Sequence, residues 1–165
     1  MGKKKSIALL NKAVADELHA VHQYMYFHFH LDDLGFGPLA MLFKQTAIEE
    51  MGHVELLAER ILFLKGDVEM GLAAEVEKIT DPEKMLAKAA KMEEDSAADY
   101  NKSANECAAN ADAASKQIFE RLVADEERHF DNYDKQLDNI KRFGGSYLAL
   151  QSFGPGEGEA PPEAG

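Results

Sequence analysis

Tryptophan is missing from these 165 residues, cysteine occurs once, proline five times, and no apolar run approaches the length that spans a bilayer. Each scarcity removes a class of protein. The single Cys107 excludes an internal disulfide framework and any Cys-x-x-Cys metal or redox motif, and reads as a small buried hydrophobe on a helix. So few prolines, with almost no strand patterning, leave long tracts of Ala, Leu, Met, Glu and Lys, the profile of a helical soluble domain. Basic residues are short too: 18 against 30 acidic ones give a formal charge of -12. That balance argues against a nucleic-acid partner and favours cations. Lys3, Lys4 and Lys5 are the one basic run and read as a solvated N-terminus. Without a membrane span, and with an apolar run in the first ten residues too short for a signal peptide, a cytoplasmic location is expected.

What is present points to one all-α domain. Ser6 is a plausible N-cap for a first helix running to about Leu34, and Gly35, Phe36 and Gly37 break the chain before Pro38 opens a second. Helix 2 is expected to reach Lys65, with Gly66 as its C-cap. Asp81 and Pro82 supply the N-cap and first turn of helix 3, which extends to about Ala109. Asn110 and Asp112 mark a tight turn into helix 4, ending near Phe143. Short joints make helices 1 and 2, and helices 3 and 4, antiparallel hairpins. From Gly66 to Asp81 there are sixteen residues, too many for a tight turn. Val68, Leu72, Val76 and Ile79 fit a long crossover lying on the bundle. The expected layout is a four-helix bundle over residues 1–145, then a short C-terminal segment over 146–165. Tyr147 to Phe153 would make one or two helical turns, and the Gly, Pro, Glu and Ala that follow read as a mobile tail.

Chemistry enters with the glutamates. Glu17 falls within the apolar stripe Leu10, Val14, Val21 and Tyr24, so helical periodicity points it inward. Glu50 repeats the pattern among Phe43, Ala47, Val54 and Leu57, Glu93 among Leu86, Ala90, Ala97 and Tyr100, and Glu126 among Phe119, Val123, Phe130 and Tyr133. A buried carboxylate is costly without a countercharge, and none of the adjacent inward positions holds Lys or Arg. Two of the four begin Glu-x-x-His motifs, Glu50 with His53 and Glu126 with His129. That spacing sets carboxylate and imidazole on one helix face, able to reach one metal.

With 18 glutamates and 6 histidines, such a pair alone means little. The intervals mean more. Glu17 to Glu50 and Glu93 to Glu126 are both 33 residues, and the halves are related by an offset of 76 that also links Tyr24 with Tyr100. One Glu from each of two helices plus Glu-x-x-His from each of the other two is the ligand set of di-iron carboxylate bundles. Four carboxylates and two neutral imidazoles offset two divalent cations. Mixed oxygen and imidazole donors suit iron or manganese.

These residues also carry a resemblance. Glu17-Leu18-His19-Ala20-Val21-His22-Gln23-Tyr24, Ile48-Glu49-Glu50-Met51-Gly52-His53, Ala124-Asp125-Glu126-Glu127-Arg128-His129 and Arg60-Ile61-Leu62-Phe63-Leu64 are similar to segments of bacterioferritin, over about residues 5 to 150. The resemblance implies a ferritin-like fold and two iron ions per subunit, bridged by Glu50 and Glu126. Glu17 and His53 would complete one iron, Glu93 and His129 the other, with Tyr24 beside them. It implies oxidation of Fe(II) by dioxygen or peroxide, iron storage in a cage of 24 subunits built from dimers, and a ferredoxin-type electron donor. It also implies a haem-type porphyrin shared between two subunits through Met51. Met51 follows Glu50 by 100° of helical turn, toward a flank, and its thioether is a competent axial ligand.

The chain departs from some members in reading Gln45 and Glu49 where they carry His and Asp on the cavity side. His19 and His22 lie off the ligand face and suit exposed or interface roles. His28 points inward but lies about 16 Å along the helix from Glu17. Two other readings compete: a small di-iron or di-manganese peroxidase resembling rubrerythrin, whose Cys-rich electron-transfer module is lacking, and a DNA-protecting mini-ferritin, disfavoured by the acidic charge.

Overall fold

The structure is a computed structural model that describes residues 2–154. Five helices make it up: α1 (Gly2–Asp33), α2 (Gly37–Phe63), α3 (Pro82–Ala109), α4 (Ala113–Phe143) and a short α5 (Gly145–Leu150). The long helices pack as two hairpins, α1 with α2 and α3 with α4, closed into one bundle. The expected tail from residue 155 on lies outside the described residues.

The expected N-cap at Ser6 is corrected: α1 begins at Gly2, and Ser6 is fully buried inside the helix. Four residues before Leu10, Ser6 belongs to the inward stripe, and the three lysines before it are good helix formers that carry the helix outward. Lys5 pairs with Glu106 at 2.9 Å. The expected cap at Gly66 is corrected as well. Lys65, not Gly66, takes the left-handed conformation, with φ 66°. Its N–H donates to the Leu62 carbonyl and that of Gly66 to the Ile61 carbonyl, closing a Schellman turn one residue early. Gly66 is needed for a different reason: a Cβ there would lie 2.8 Å from Ile7 Cγ2. Asp81 caps α3 as expected, accepting from Lys84 N at 2.9 Å. Asp112 caps α4, accepting from Ser115 N at 3.1 Å and from Arg60 Nη2 of α2 at 2.6 Å.

The crossover lies along α1. Two buried side-chain amides hold it, each pairing with backbone as a strand neighbour would. Asn11 donates to the Asp67 carbonyl at 2.9 Å and accepts from Glu69 N at 3.0 Å. Gln23 donates to the Glu77 carbonyl at 3.0 Å and accepts from Glu77 N at 2.8 Å. Val68 and Ile79 pack on the core, but Leu72 is exposed.

The core divides in two. One apolar cluster, around Tyr24, Phe27, Phe43, Met85 and Tyr133, fills one end of the bundle. Another, around Leu10, Val14, Leu57, Tyr100 and Phe119, fills the other. Each fully buried Leu or Phe contributes about 1.5–3 kcal/mol. Between the clusters comes a polar layer, flanked on α1 by Val14 and Ala20 and on α2 by Ala47 and Val54.

Candidate metal centre

That layer consists of Glu17, Glu50, His53, Glu93, Glu126 and His129, all six buried and none more than 5% exposed. Every sequence-expected ligand position arrives at one place. Val21, Val123 and Phe130 of the expected stripes are only partly buried, which leaves the register of each helix unchanged.

Two overlapping groups form. Glu17, Glu50, His53 and Glu126 bring donor atoms within 4.8 Å of one another, and so do Glu50, Glu93, Glu126 and His129. Glu50 and Glu126 belong to both. His53 Nδ1 lies 2.8 Å from Glu50 Oε2, 3.3 Å from Glu126 Oε1 and 3.5 Å from Glu17 Oε1. His129 Nδ1 lies 3.2 Å from Glu50 Oε1 and 3.6 Å from Glu93 Oε2. Proximity is not bonding here. Among the described residues, both Glu50 oxygens, one oxygen each of Glu93 and Glu126, and both Nδ1 atoms lack a hydrogen-bond partner despite full burial. Buried polar atoms left in that state are costly, and six of them converging on one centre suit a pair of cations.

Protons carry the missing charge when metal is absent. Burial, then the charges of Glu17 and Glu93, push Glu50 up to about 8. Burial and the Glu17 and Glu50 charges hold Glu126 well above the carboxylate range. Burial alone would lower His53, but Glu17 and Glu50 beside it lift it to about 10. His129, buried against Glu50 and Glu93, rises to about 11 for the same reason. Burial would raise Glu93, yet Glu126, His129 and Tyr24 around it bring it below its ordinary value.

The outer sides of these side chains are tied down. Tyr24 donates to Glu93, and Tyr100 donates to Glu17 Oε1 at 2.8 Å. His53 Nε2 faces Asp125 Oδ2 at 3.1 Å, and His129 Nε2 faces Glu49 Oε2 at 2.9 Å. A carboxylate against Nε2 keeps the proton on that nitrogen and leaves the Nδ1 lone pair for a metal. The roles of Glu49 and Asp125 are missed by periodicity, which marks both as surface positions. The offset of 76, which relates them to each other, was the available signal.

Comparison with known proteins agrees with this geometry. The model of the ferritin-like domain family matches residues 7–143. The chain is 37% identical over 147 residues to the bacterioferritin of Desulfovibrio desulfuricans, covering 89% of this chain and 82% of that one. The chain belongs to the bacterioferritin family. The bacterioferritin of Rhodobacter capsulatus is 35% identical over 155 residues, covering 93% of this chain and 96% of its own. An X-ray structure of the Desulfovibrio desulfuricans bacterioferritin, which describes its di-iron site in different catalytic states, superposes with a TM-score of 0.93 at 34% identity. It covers 99% of this chain and 95% of that one.

The remaining histidines of this bacterioferritin chain stay out of the centre. His28 is buried, with Nδ1 2.8 Å from the Ala40 carbonyl. His22 is exposed, and His19 is partly buried on the α1 surface. Met51 stands 46% exposed on α2, turned away from the centre.

Proposed function

We propose that this chain is an iron-storage and iron-detoxifying ferroxidase whose substrate, Fe(II), binds as a pair within the bundle of residues 1–145. Glu17 and His53 would hold one ion, Glu93 and His129 the other, with Glu50 and Glu126 shared. The observation that carries this reading is the convergence of six buried, unpartnered donor atoms. Ferrous ions held there supply the electrons that dioxygen or hydrogen peroxide takes up.

The chain's own part is to place and to insulate. Tyr24 and Tyr100 fix Glu93 and Glu17, Asp125 and Glu49 orient the imidazoles, and the two apolar clusters keep bulk water away. Glu50, Glu126 and both imidazoles give up protons as metal enters, so the occupied centre is neutral and remains tolerable in a dry core.

Ferric product passes into a mineral inside a cage of 24 subunits built from dimers, in the cytoplasm, with a ferredoxin-type donor returning electrons. Exposed Phe29, Ile48, Leu62 and Phe63 support burial against further subunits. So does an apolar groove of about 500 Å3 lined by Val21, Met25, Tyr26, Phe29 and Val76. Met51, on the flank beside Ile48, is the residue offered to a shared haem-type porphyrin.

Anaerobic titration with Fe(II), followed by exposure to air in a stopped-flow instrument, tests the reading. Two ions per chain and a rapid oxidation phase are expected, with Glu93→Ala slowing that phase at least about tenfold while the cage still assembles. Wild-type rates in Glu93→Ala would remove the residue from the centre. A small oligomer in place of a 24-subunit particle would favour a peroxidase instead.

A further inference from the structure

The offset of 76 pairs nearly every residue at the centre with a counterpart in the other half, but Arg128 stands where the first half has Gly52. This break in the pseudo-twofold pattern falls at a junction. Arg128 Nη2 donates to Glu49 Oε2 at 2.5 Å and to Asp125 Oδ1 at 3.2 Å. Glu49 Oε2 is the same atom that faces His129 Nε2, and the second oxygen of Asp125 faces His53 Nε2. One guanidinium nitrogen therefore closes a continuous path from His129 through Glu49, Arg128 and Asp125 to His53.

Both carboxylates need such an anchor. They border a cavity of about 460 Å3 that also takes in Glu55, Glu59 and Arg121. The Glu49 side chain is 43% exposed and that of Asp125 26%, whereas both imidazoles are buried. The ring orientations are thus set by groups that water can reach. Both Nδ1 atoms approach Glu50, at 2.8 Å from His53 and 3.2 Å from His129, so a turn of either ring redirects its Nδ1 away from that shared carboxylate.

We propose that Arg128 is a positioning residue that couples the two histidines: by tying Glu49 to Asp125 it orients both imidazoles toward the metal pair at once. This rests on the reading of the centre as a di-metal site. Arg128 reaches the centre through Glu49 and Asp125, and its half-exposed ion pairs contribute little to folding. Its value lies in holding two outer carboxylates with one cation, where the counterpart position in the other half is Gly52.

Metal-free, full-length protein titrated with Co(II) alone, followed by visible absorption, separates the possibilities. Asp125→Asn is expected to weaken one of two Co(II) ions about tenfold and Glu49→Gln the other. Arg128→Met, which keeps the aliphatic stem, is expected to weaken both ions together, by about three- to tenfold, and Arg128→Lys to recover most of that loss. Arg128→Gln serves as a second neutral variant, expected to behave as Arg128→Met does. Helical circular dichroism and native mass are expected to match wild type throughout. Neutral variants that bind both ions as wild type does, or that lose only one, would overturn the coupling. Wild-type protein that takes up no Co(II) would overturn the di-metal reading itself.

Discussion

Tyr100 donates its hydroxyl to Glu17 Oε1 at 2.8 Å from the helix that carries Glu93, while Tyr24, on the helix that carries Glu17, donates to Glu93. The two bonds cross. Each helix that supplies one of the glutamates belonging to a single group also supplies the clamp for the other, so α1 and α3 fix one another's carboxylates. Both phenols are buried, and burial followed by the facing carboxylate, Glu93 for Tyr24 and Glu17 for Tyr100, raises their pKa well above the ordinary value. They therefore stay protonated and act as donors only.

Removing one hydroxyl leaves one carboxylate oxygen without its donor. A hydrogen bond to a charged group contributes about 1.5–3 kcal/mol, which corresponds to a loss of metal affinity of about 10- to 100-fold at one position. Tyr100→Phe is expected to weaken the ion held with Glu17 and His53, and Tyr24→Phe the ion held with Glu93 and His129. Calorimetry with Zn(II) reads the two sites. Equal weakening of both ions by either variant would contradict the crossed assignment.

The protons that stand in for metal make binding depend on pH. With Glu50 at about 8, His53 at about 10 and His129 at about 11, these groups hold protons at pH 7 that they must lose to coordinate. Affinity for Zn(II) is therefore expected to rise with pH between about 6 and 8, with about two to four protons released per chain on loading. The sign follows from the raised values, because the metal-free form binds more protons than the loaded form. Calorimetry in buffers of different ionisation enthalpy counts them, and uptake without release would refute the charge assignment.

The helices and the convergence of the six candidate metal-binding side chains were legible because one rule governs both. A residue recurring at helical period within an apolar stripe faces the core, whether it is Leu57 or Glu50. The two corrections fall where that rule ends. Ser6 has the chemistry of an N-cap but the phase of a core position, and phase decided. Gly66 has the chemistry of a C-cap but sits against Ile7, a contact that depends on α1 and is invisible in the local sequence. The outer pairs, His53 with Asp125 and His129 with Glu49, join α2 to α4 across 72 and 80 residues. No local pattern reports such pairs, though the internal repeat hinted at them.

The end of α2 offers a test of that account. Gly66→Ala would set a methyl 2.8 Å from Ile7 Cγ2 and 3.1 Å from Ile61 Cγ2, neither of them the far end of a flexible chain. It is expected to cost about 1–3 kcal/mol. Lys65→Gly relieves a left-handed residue and is expected to stabilise by up to about 1 kcal/mol. Thermal unfolding of the assembled protein compares them. If Gly66→Ala were neutral and Lys65→Gly strongly destabilising, the roles of the two positions would be reversed.

Met51 tests the separation of two proposed functions along one helix. It is adjacent to Glu50, the fully buried carboxylate common to both candidate metal groups, yet Met51 itself is 46% exposed. A quarter turn of helix therefore divides a dry metal centre from a surface that a second subunit can cover. Leucine keeps the apolar bulk and helix propensity of methionine while removing the sulfur. Met51→Leu is accordingly expected to leave the rapid phase of Fe(II) oxidation within about twofold of wild type, since no group that orients the six ligands changes. The low-spin absorption of protein reconstituted with haem is expected to be lost, because the proposed role of Met51 rests on its thioether, which leucine lacks. A haem spectrum unchanged in Met51→Leu would place the porphyrin elsewhere. A large fall in oxidation rate would mean that the flank and the centre are coupled through α2 more tightly than the burial of Glu50 implies.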